Sequence, residues 1–269
     1  MNKLEISIII RTYNEEKYLG ECLKSVFSQK INKKFEVIIV DSQSSDSTLS
    51  IAKKFQVRVL SINKKDFTYG RALNVGCKKA RGNFLVFLSA HAIPVNENWL
   101  FELIRSFDAN TAGVLGKQIP MKDANPLARR FLLDSNRKPN ISSISNTNSA
   151  IRKDFWKLLN FNENMVFAED YFWSRQIKKM GYKIKYNPLG VVYHSHNDSL
   201  KKFFHRNHAA LMENDSSHKL AIYFKDTLHN LIDDIRYVSK RRESTYWIFY
   251  AFVLFIVKIL VLISVCCRS

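Results

Sequence analysis

The sequence predicts an α/β fold: a mostly parallel central sheet flanked by helices, followed by a C-terminal helical membrane-associating segment. Three observations predict it. Up to about residue 118, short apolar runs alternate with stretches of helical spacing, the pattern of strand–helix–strand units. The runs are nearly continuous, as in strands buried on both faces. Residues 246–267 are apolar on every side, with Lys258 as their one charge.

The first strand is EISIII (5–10). Residues 15–29 place Tyr18, Leu19, Cys22, Leu23, Val26 and Phe27 at helical spacing. Asn14 stands where an N-cap would, ahead of Glu15 and Glu16. FEVIIV (35–40) is the second strand. SDSTLSIAKKF (45–55) reads as a helix capped by Asp46. Strand VRVL (57–60), helix 70–80, strand FLVFL (84–88), helix 96–107 and strand 112–119 continue the alternation. Periodicity fails over 120–143, which reads as a long excursion. Order returns in ISNTNSAIRKDFWKLL (144–159), in AEDYFWSRQIKKMGYKIKYNP (168–188) and in GVVYHSH (190–196), which leads into a helical region.

As a helix, residues 246–267 reach roughly 33 Å at about 1.5 Å per residue, the thickness of a bilayer core. Lys258 near the middle costs about 2.5–3.5 kcal/mol, and each Leu, Ile, Phe or Val returns about 0.3–0.6 kcal/mol. An interfacial helix is the competing reading. RYVSKRR (236–242) lies just before, and basic flanks mark the cytoplasmic side. The expected division is an α/β domain at 1–198, a basic helical extension at 199–245 and a membrane anchor at 246–267. The bulk of the chain is expected at the cytoplasmic face of the inner membrane. No signal peptide is expected, because the N-terminus lacks a basic stretch followed by an apolar one.

The 269 residues are 46% apolar and 13% aromatic, enough to bury a core and to exclude a disordered chain. The net charge of +18 attracts anions, whether nucleic acid, anionic membrane or phosphorylated metabolites, and does not choose among them. No C-x-x-C pair exists among Cys22, Cys77, Cys266 and Cys267, so a zinc site or disulfide framework is not expected. Cys22 and Cys77 read as small core residues of a protein in a reducing compartment. No G-x-G-x-x-G or P-loop follows any strand.

Ligands of such sheets bind beyond the carboxyl ends of the strands. Thr12, Tyr13 and Asn14 end the first strand, supplying a hydroxyl, an aromatic face and an amide. Asp41 ends the second, where its carboxylate can accept from a base or a ribose. Ser89-Ala90-His91 end the fourth. Trp156 and Trp173 sit at helical positions, where a core role outweighs sugar stacking.

These pieces, in this order, resemble the inverting glycosyltransferases of family 2, which have the GT-A fold. The resemblance runs from ISIIIRTYNEEKYLGECLKSVFSQ through FEVIIVDSQSSDST, GRALNVGCKKARGNFLVFLSAHAIP, SNTNSAIRKDFW and AED to VVYHSH, about residues 5 to 196. It implies a nucleotide-sugar donor, UDP- or dTDP-linked, held by Thr12, Tyr13, Asn14, Asp41, Arg71, Ser89 and His91. It makes Asp170 the general base, with Glu169 orienting it or binding acceptor. It also implies a divalent cation, Mn²⁺ or Mg²⁺, usually held by a D-x-D motif. Here Ser89-Ala90-His91 replaces that motif. His91 with His194 is the expected substitute, since imidazole ligates such ions, while His196 reads as a satisfied turn residue. A metal-free site, with Arg71 and His91 neutralising the diphosphate, is the alternative.

The implied reaction is transfer of a sugar, rhamnose among the candidates, to a polyprenyl-diphosphate-linked glycan in surface polysaccharide assembly such as O-antigen. The expected partners are the donor, the lipid-linked acceptor and an anionic membrane, with a homo-oligomer left open. An inactive scaffold is the first competing class, motivated by the missing D-x-D and opposed by Asp170. A nucleic-acid-binding protein is the second, motivated by charge but lacking basic-aromatic motifs, so no nucleic acid is expected.

Overall fold

The computed structural model describes residues 4–125, 143–165, 168–196, 199–212 and 218–267. Most of the expected 120–143 excursion lies outside the described residues. The chain forms two compact units: one holds the described residues up to Ile119 and from 143 to His194, the other those from Pro120 to 125 and from Ser195 onward.

The first unit is built on an eight-stranded sheet of order β3-β2-β1-β4-β7-β6-β8-β5. Its strands are β1 (Ile6–Thr12), β2 (Phe35–Asp41), β3 (Val57–Ser61), β4 (Phe84–Ser89), β5 (Ile93–Pro94), β6 (Thr111–Ile119), β7 (Asn148–Arg152) and β8 (Lys183–Tyr193). Its helices are α1 (Leu19–Phe27), α2 (Thr48–Ala52), α3 (Tyr69–Lys79), α4 (Trp99–Arg105), α5 (Lys153–Leu158) and α6 (Glu169–Lys179).

The neighbours β3, β2, β1 and β4 pair in parallel, as their apolar runs predict. β6 pairs in parallel with β8. Between these two blocks lies β7, antiparallel to both β4 and β6. It starts opposite Leu88, where β4 is ending, and so runs back along it. The sheet is therefore mixed at its centre, and β6 does not pair with β4.

The two faces carry separate cores. Ile6, Ile8 and Ile10 pack with α1 and with Trp99, Leu100 and Leu103 of α4. Ile9, Ile38, Val40 and Phe87 pack on the other side with Leu73 of α3, Trp156 of α5 and Trp173 of α6. Cys22 and Cys77 are buried, one on each side. Trp156 and Trp173 are core residues, and their indoles donate to Asn74 Oδ1 (3.0 Å) and Leu159 O (2.7 Å).

Asn148 clamps the mixed centre. Its Oδ1 accepts from Trp99 Nε1 at 2.8 Å, and its Nδ2 donates to Lys117 O and Gly190 O, each at 2.9 Å. Gly116 makes room for it: a Cβ there would lie 2.4 Å from Asn148 Nδ2 and from Gly190 O.

The first helix starts at Leu19 rather than 15, with Tyr18 at its N-cap. Asn14 is therefore not a cap. It sits in the left-handed region (φ 54°) and accepts from Ser45 N at 2.9 Å, joining the exits of β1 and β2. Asp46 does accept from Thr48 N at the head of α2 (2.9 Å), and also from Glu16 N (3.1 Å). The second unit contributes α7 (Leu200–Met212), α8 (Lys219–Lys240) and α9 (Tyr246–Cys266).

At the amino end of the sheet, buried Glu36 accepts from Ser7 Oγ (2.8 Å), Arg58 (2.8 Å), Arg81 N (2.7 Å) and Arg81 Nε (3.1 Å). Burial alone would raise its pKa, but these donors outweigh it and hold the carboxyl below the usual 4.5. The stabilisation is complete above that value and is lost as pH falls through the lowered one. Glu36→Ala is expected to cost about 1–3 kcal/mol at neutral pH. Denaturant midpoints of the detergent-solubilised chain at pH 7 and pH 3 check this. The difference between wild type and variant should shrink at the acid end.

Candidate active site

Strand register builds the site. Thr12 of β1 pairs with Asp41 of β2, and Arg11 of β1 with Ser89 of β4. Parallel strands that stop together put these side chains along one edge.

At the β1–β2 part of that edge, Thr12 Oγ1 donates to Asp41 Oδ1 at 2.8 Å. Ser44 adds two bonds to the same carboxylate, from its backbone N (2.9 Å) and its Oγ (2.6 Å). Thr12 and Asp41 are buried, while Tyr13 is exposed over the edge. Lys64 Nζ donates to the Tyr13 hydroxyl at 2.6 Å, and Lys64 N to Gln43 Oε1 at 3.0 Å. Asn14 and Gln43 both lie in the left-handed region, at φ 54° and 61°. Arg71 is exposed in the first turn of α3, where its backbone N donates to Thr68 Oγ1.

The β4 exit carries the histidine. Ser89 Oγ lies 3.3 Å from the ring nitrogens of His91. His91 Nδ1 lies 3.1 Å from both carboxylate oxygens of Glu15, so the imidazole donates there. Glu15 is itself held by its backbone N, which donates to Thr48 Oγ1 at 2.7 Å. The β5–β8 pair matches Ile93 with Tyr193, which draws the flanking His91 and His194 together. Their rings stack at 5.1 Å between centroids, 19° from parallel, and their ligand atoms lie within 4.8 Å. His194 N also donates to Ile119 O. Exposed His196 belongs to the second unit.

The acid pair opens α6. Ala168, just before it, is in the left-handed region (φ 63°), a conformation costing an L-residue about 1–2 kcal/mol. Glu169 is buried, 3.6 Å from Arg11 Nη1, and accepts from Asn146 Nδ2 at 2.6 Å. Asp170 is partly exposed and accepts from Asn146 N (3.1 Å) and Tyr171 N (2.8 Å). Arg11 also lies over the Tyr69 ring, 4.7 Å from its centroid. Burial pushes the Glu169 carboxyl up to about 7; Arg11 opposes this rise and Asp170 adds to it. Burial raises Asp170 as well, against the bonds from Asn146 and Tyr171. Carboxyls raised toward neutrality suit proton transfer.

The structure thus groups the predicted residues in three sets: Thr12 with Asp41, Ser89 with His91 and His194, and Glu169 with Asp170. Three participants escaped the sequence reading. Arg11 and Asn146 hold the acid pair, and Glu15 holds His91. Arg11 left a signal, a cation ending an apolar strand. Asn146 and Glu15 act through partners distant in sequence and left none.

The family model for glycosyl transferase family 2 matches residues 7–159. The O-antigen chain rhamnosyltransferase WbaN of Salmonella anatum is 33% identical over 217 residues, 74% of this chain and 69% of that protein. A dolichyl N-acetyl-alpha-D-glucosaminyl phosphate 3-beta-D-2,3-diacetamido-2,3-dideoxy-beta-D-glucuronosyltransferase of Methanococcus voltae is 29% identical over 225 residues, 74% of this chain and 69% of that one. Among solved structures, the mannosyltransferase PcManGT of Pyrobaculum calidifontis, in complex with GDP-Man and Mn²⁺, superposes with a TM-score of 0.61. It covers 99% of this chain and 76% of that one at 16% identity, a likeness of fold.

A carboxyl raised from 4.5 to about 7 binds a proton in the folded state that the unfolded chain has released. Stability contributed by Glu169 therefore falls as pH rises from 4.5 to 7, by roughly 3 kcal/mol in all. Glu169→Gln is expected to remove that slope. Urea midpoints at pH 5 and pH 7.5 check it: the variant should gain on wild type at the higher pH.

Proposed function

The chain belongs to glycosyl transferase family 2 and has the GT-A fold, and from that premise we propose an inverting transfer of a sugar from a nucleoside-diphosphate donor to a lipid-linked glycan in surface polysaccharide assembly. That the chain is a glycosyltransferase follows from the family. The donor, the stereochemistry and the acceptor are the proposal. The observation that carries it is the Glu169–Asp170 pair, bound by Asn146 and Arg11 at the same strand-end edge as Asp41 and His91.

The donor nucleoside lies over Thr12, Tyr13 and Asp41, with Asn14 shaping the turn beside them and Arg71 and Ser89 toward the ribose and diphosphate. Asp170 takes the proton of the acceptor hydroxyl as its oxygen bonds to the anomeric carbon and the bond to the diphosphate breaks. A single displacement of this kind inverts the centre and needs one base and no nucleophile. Glu169 and Asn146 fix where the base points, and Arg11 offsets the charge of the pair.

His91 and His194 fit a cation. Two imidazoles converge, and His91 donates its Nδ1 proton to Glu15, the carboxylate–histidine arrangement that leaves Nε2 directed to a metal. An imidazole pair suits Mn²⁺ better than Mg²⁺, which prefers oxygen. A cation held there would offset charge on the departing diphosphate. Mn²⁺ in PcManGT supports this reading.

Support for the acceptor comes from the names of the relatives, an O-antigen chain transferase and a dolichyl phosphate glycan transferase. The domain division proposed is catalytic 1–198, basic helical 199–245 and membrane-associating 246–267, at the cytoplasmic face of the inner membrane.

Asp170→Asn is expected to lower transfer by about 10²–10⁴-fold while nucleotide-sugar affinity stays within a few-fold; normal transfer by this variant would remove the base assignment. A thermal-shift panel of UDP-, dTDP- and GDP-sugars with and without Mn²⁺ tests donor and metal together. His91→Ala should abolish any Mn²⁺-dependent shift. Glu15→Gln, which keeps the shape but weakens the bond to Nδ1, should reduce apparent Mn²⁺ affinity by about 10–100-fold. Equal shifts in all three proteins would take both residues out of a metal site.

A further inference from the structure

The second unit carries an apolar face that the catalytic reading does not use. α9 is long and apolar enough to cross a membrane. Its neighbours, however, are not. Leu231 and Val238 of α8 pack with Trp247, Ala251 and Leu254 near the start of α9. Leu220 and Tyr223, at the other end of α8, pack with Val261 and Val265. The two helices therefore lie antiparallel along the full length of α9. α8 bears Lys225, Asp226, His229, Asp233, Arg236 and Lys240, and such a helix does not accompany a span through hydrocarbon.

α7 adds a second constraint. Phe204 and Leu211 join the cluster around Val261 and Val265, at the far end of α9. At 100° per residue, Lys202, His205 and Arg206 turn away from that cluster on α7. The far end of α9 is thus packed against a cationic helix.

α9 is itself two-sided by burial. Phe249, Phe252, Ile256, Leu260 and Ile263 are exposed and fall in one stripe roughly 80° wide. Ala251, Val261 and Val265, the buried residues, lie on the other side, and Lys258 falls among them. The charge that appeared to sit in mid-membrane therefore belongs to the face turned toward the other helices.

We propose that this unit is a one-sided membrane-docking surface in which α9 lies in the plane of the cytoplasmic leaflet, instead of crossing it. The exposed stripe enters the acyl boundary, and α7 and α8 lie toward the headgroups. Lipid is the occupant that the composition selects. A seam for a second copy would be bordered by polar residues, but the stripe is flanked by Val253, Phe255, Val257 and Ile259. Tyr246, Trp247 and Tyr250 cluster at one end, the ring types that favour the membrane interface. Lys240, Arg241 and Arg242 stand beside them, complementary to anionic headgroups. This inference rests on the membrane association proposed above and decides its geometry.

The test uses the full chain, with alkaline phosphatase or green fluorescent protein fused after Ser269 in bacterial cells. In-plane docking predicts a fluorescent fusion and an inactive phosphatase, since both reporters remain cytoplasmic. Active phosphatase with a dark fluorescent fusion would overturn the in-plane geometry and leave membrane association standing. In parallel, flotation with vesicles of phosphatidylethanolamine and phosphatidylglycerol should recover the wild-type chain. Phe252→Glu with Ile256→Glu should lower recovery at least tenfold. Absence of wild-type binding would sink the membrane reading and this inference together. Unchanged flotation of the double variant with loss of self-association would assign the stripe to a second copy and overturn the proposal.

Discussion

The Arg11–Glu169 pair is the interaction on which the site depends. Arg11 is fixed by β1, in register with Ser89, while Glu169 opens α6. A buried carboxylate is costly without a partner, and this one is answered by one guanidinium and one asparagine amide. Because Arg11 also covers the Tyr69 ring, a single side chain connects the exit of β1 with the heads of α3 and α6. Asp170 follows Glu169 along the helix, so its place is set by its neighbour's anchoring. Asn146 completes the arrangement, meeting one acid with its side chain and the other with its backbone.

Much of this was legible in the sequence, and the exceptions share a cause. β1, β2 and β4 announced themselves because a strand covered on both faces must be apolar nearly throughout, whereas β3, at the sheet edge, is half-exposed. β7 did not: Asn148 and Ser149 are polar yet buried, and the reason Asn148 is tolerated there is a set of bonds to α4, β6 and β8. β5, of two residues, is too short to have a period. Asn14 before a pair of glutamates looked like a cap because capping is the commonest local use of that pattern; its partner, Ser45, lies across the sheet edge. Asp41, His91 and Asp170 could be read as candidates because strand and helix ends are where side chains meet ligands. What each one touches could not be read, since Glu15, Arg11 and Asn146 become neighbours only through tertiary folding. The tail behaves likewise: composition says that α9 is apolar, and packing says which side of it is covered.

The sheet's mixed centre also governs how the molecule is made. β1 to β4 are complete once residue 89 has been synthesised, and their connections are local. The open side of β4 then waits for β7, which arrives with residues 148–152. Until that moment Leu85, Val86 and Phe87 present an unpaired apolar edge, the kind of surface that recruits other chains. The β1–β4 half of the sheet is thus assembled first during translation, and the half that bears Glu169 and Asp170 closes the edge later. Biogenesis of this protein accordingly has a vulnerable interval between the emergence of β4 and that of β7, when a chaperone has an apolar edge to protect.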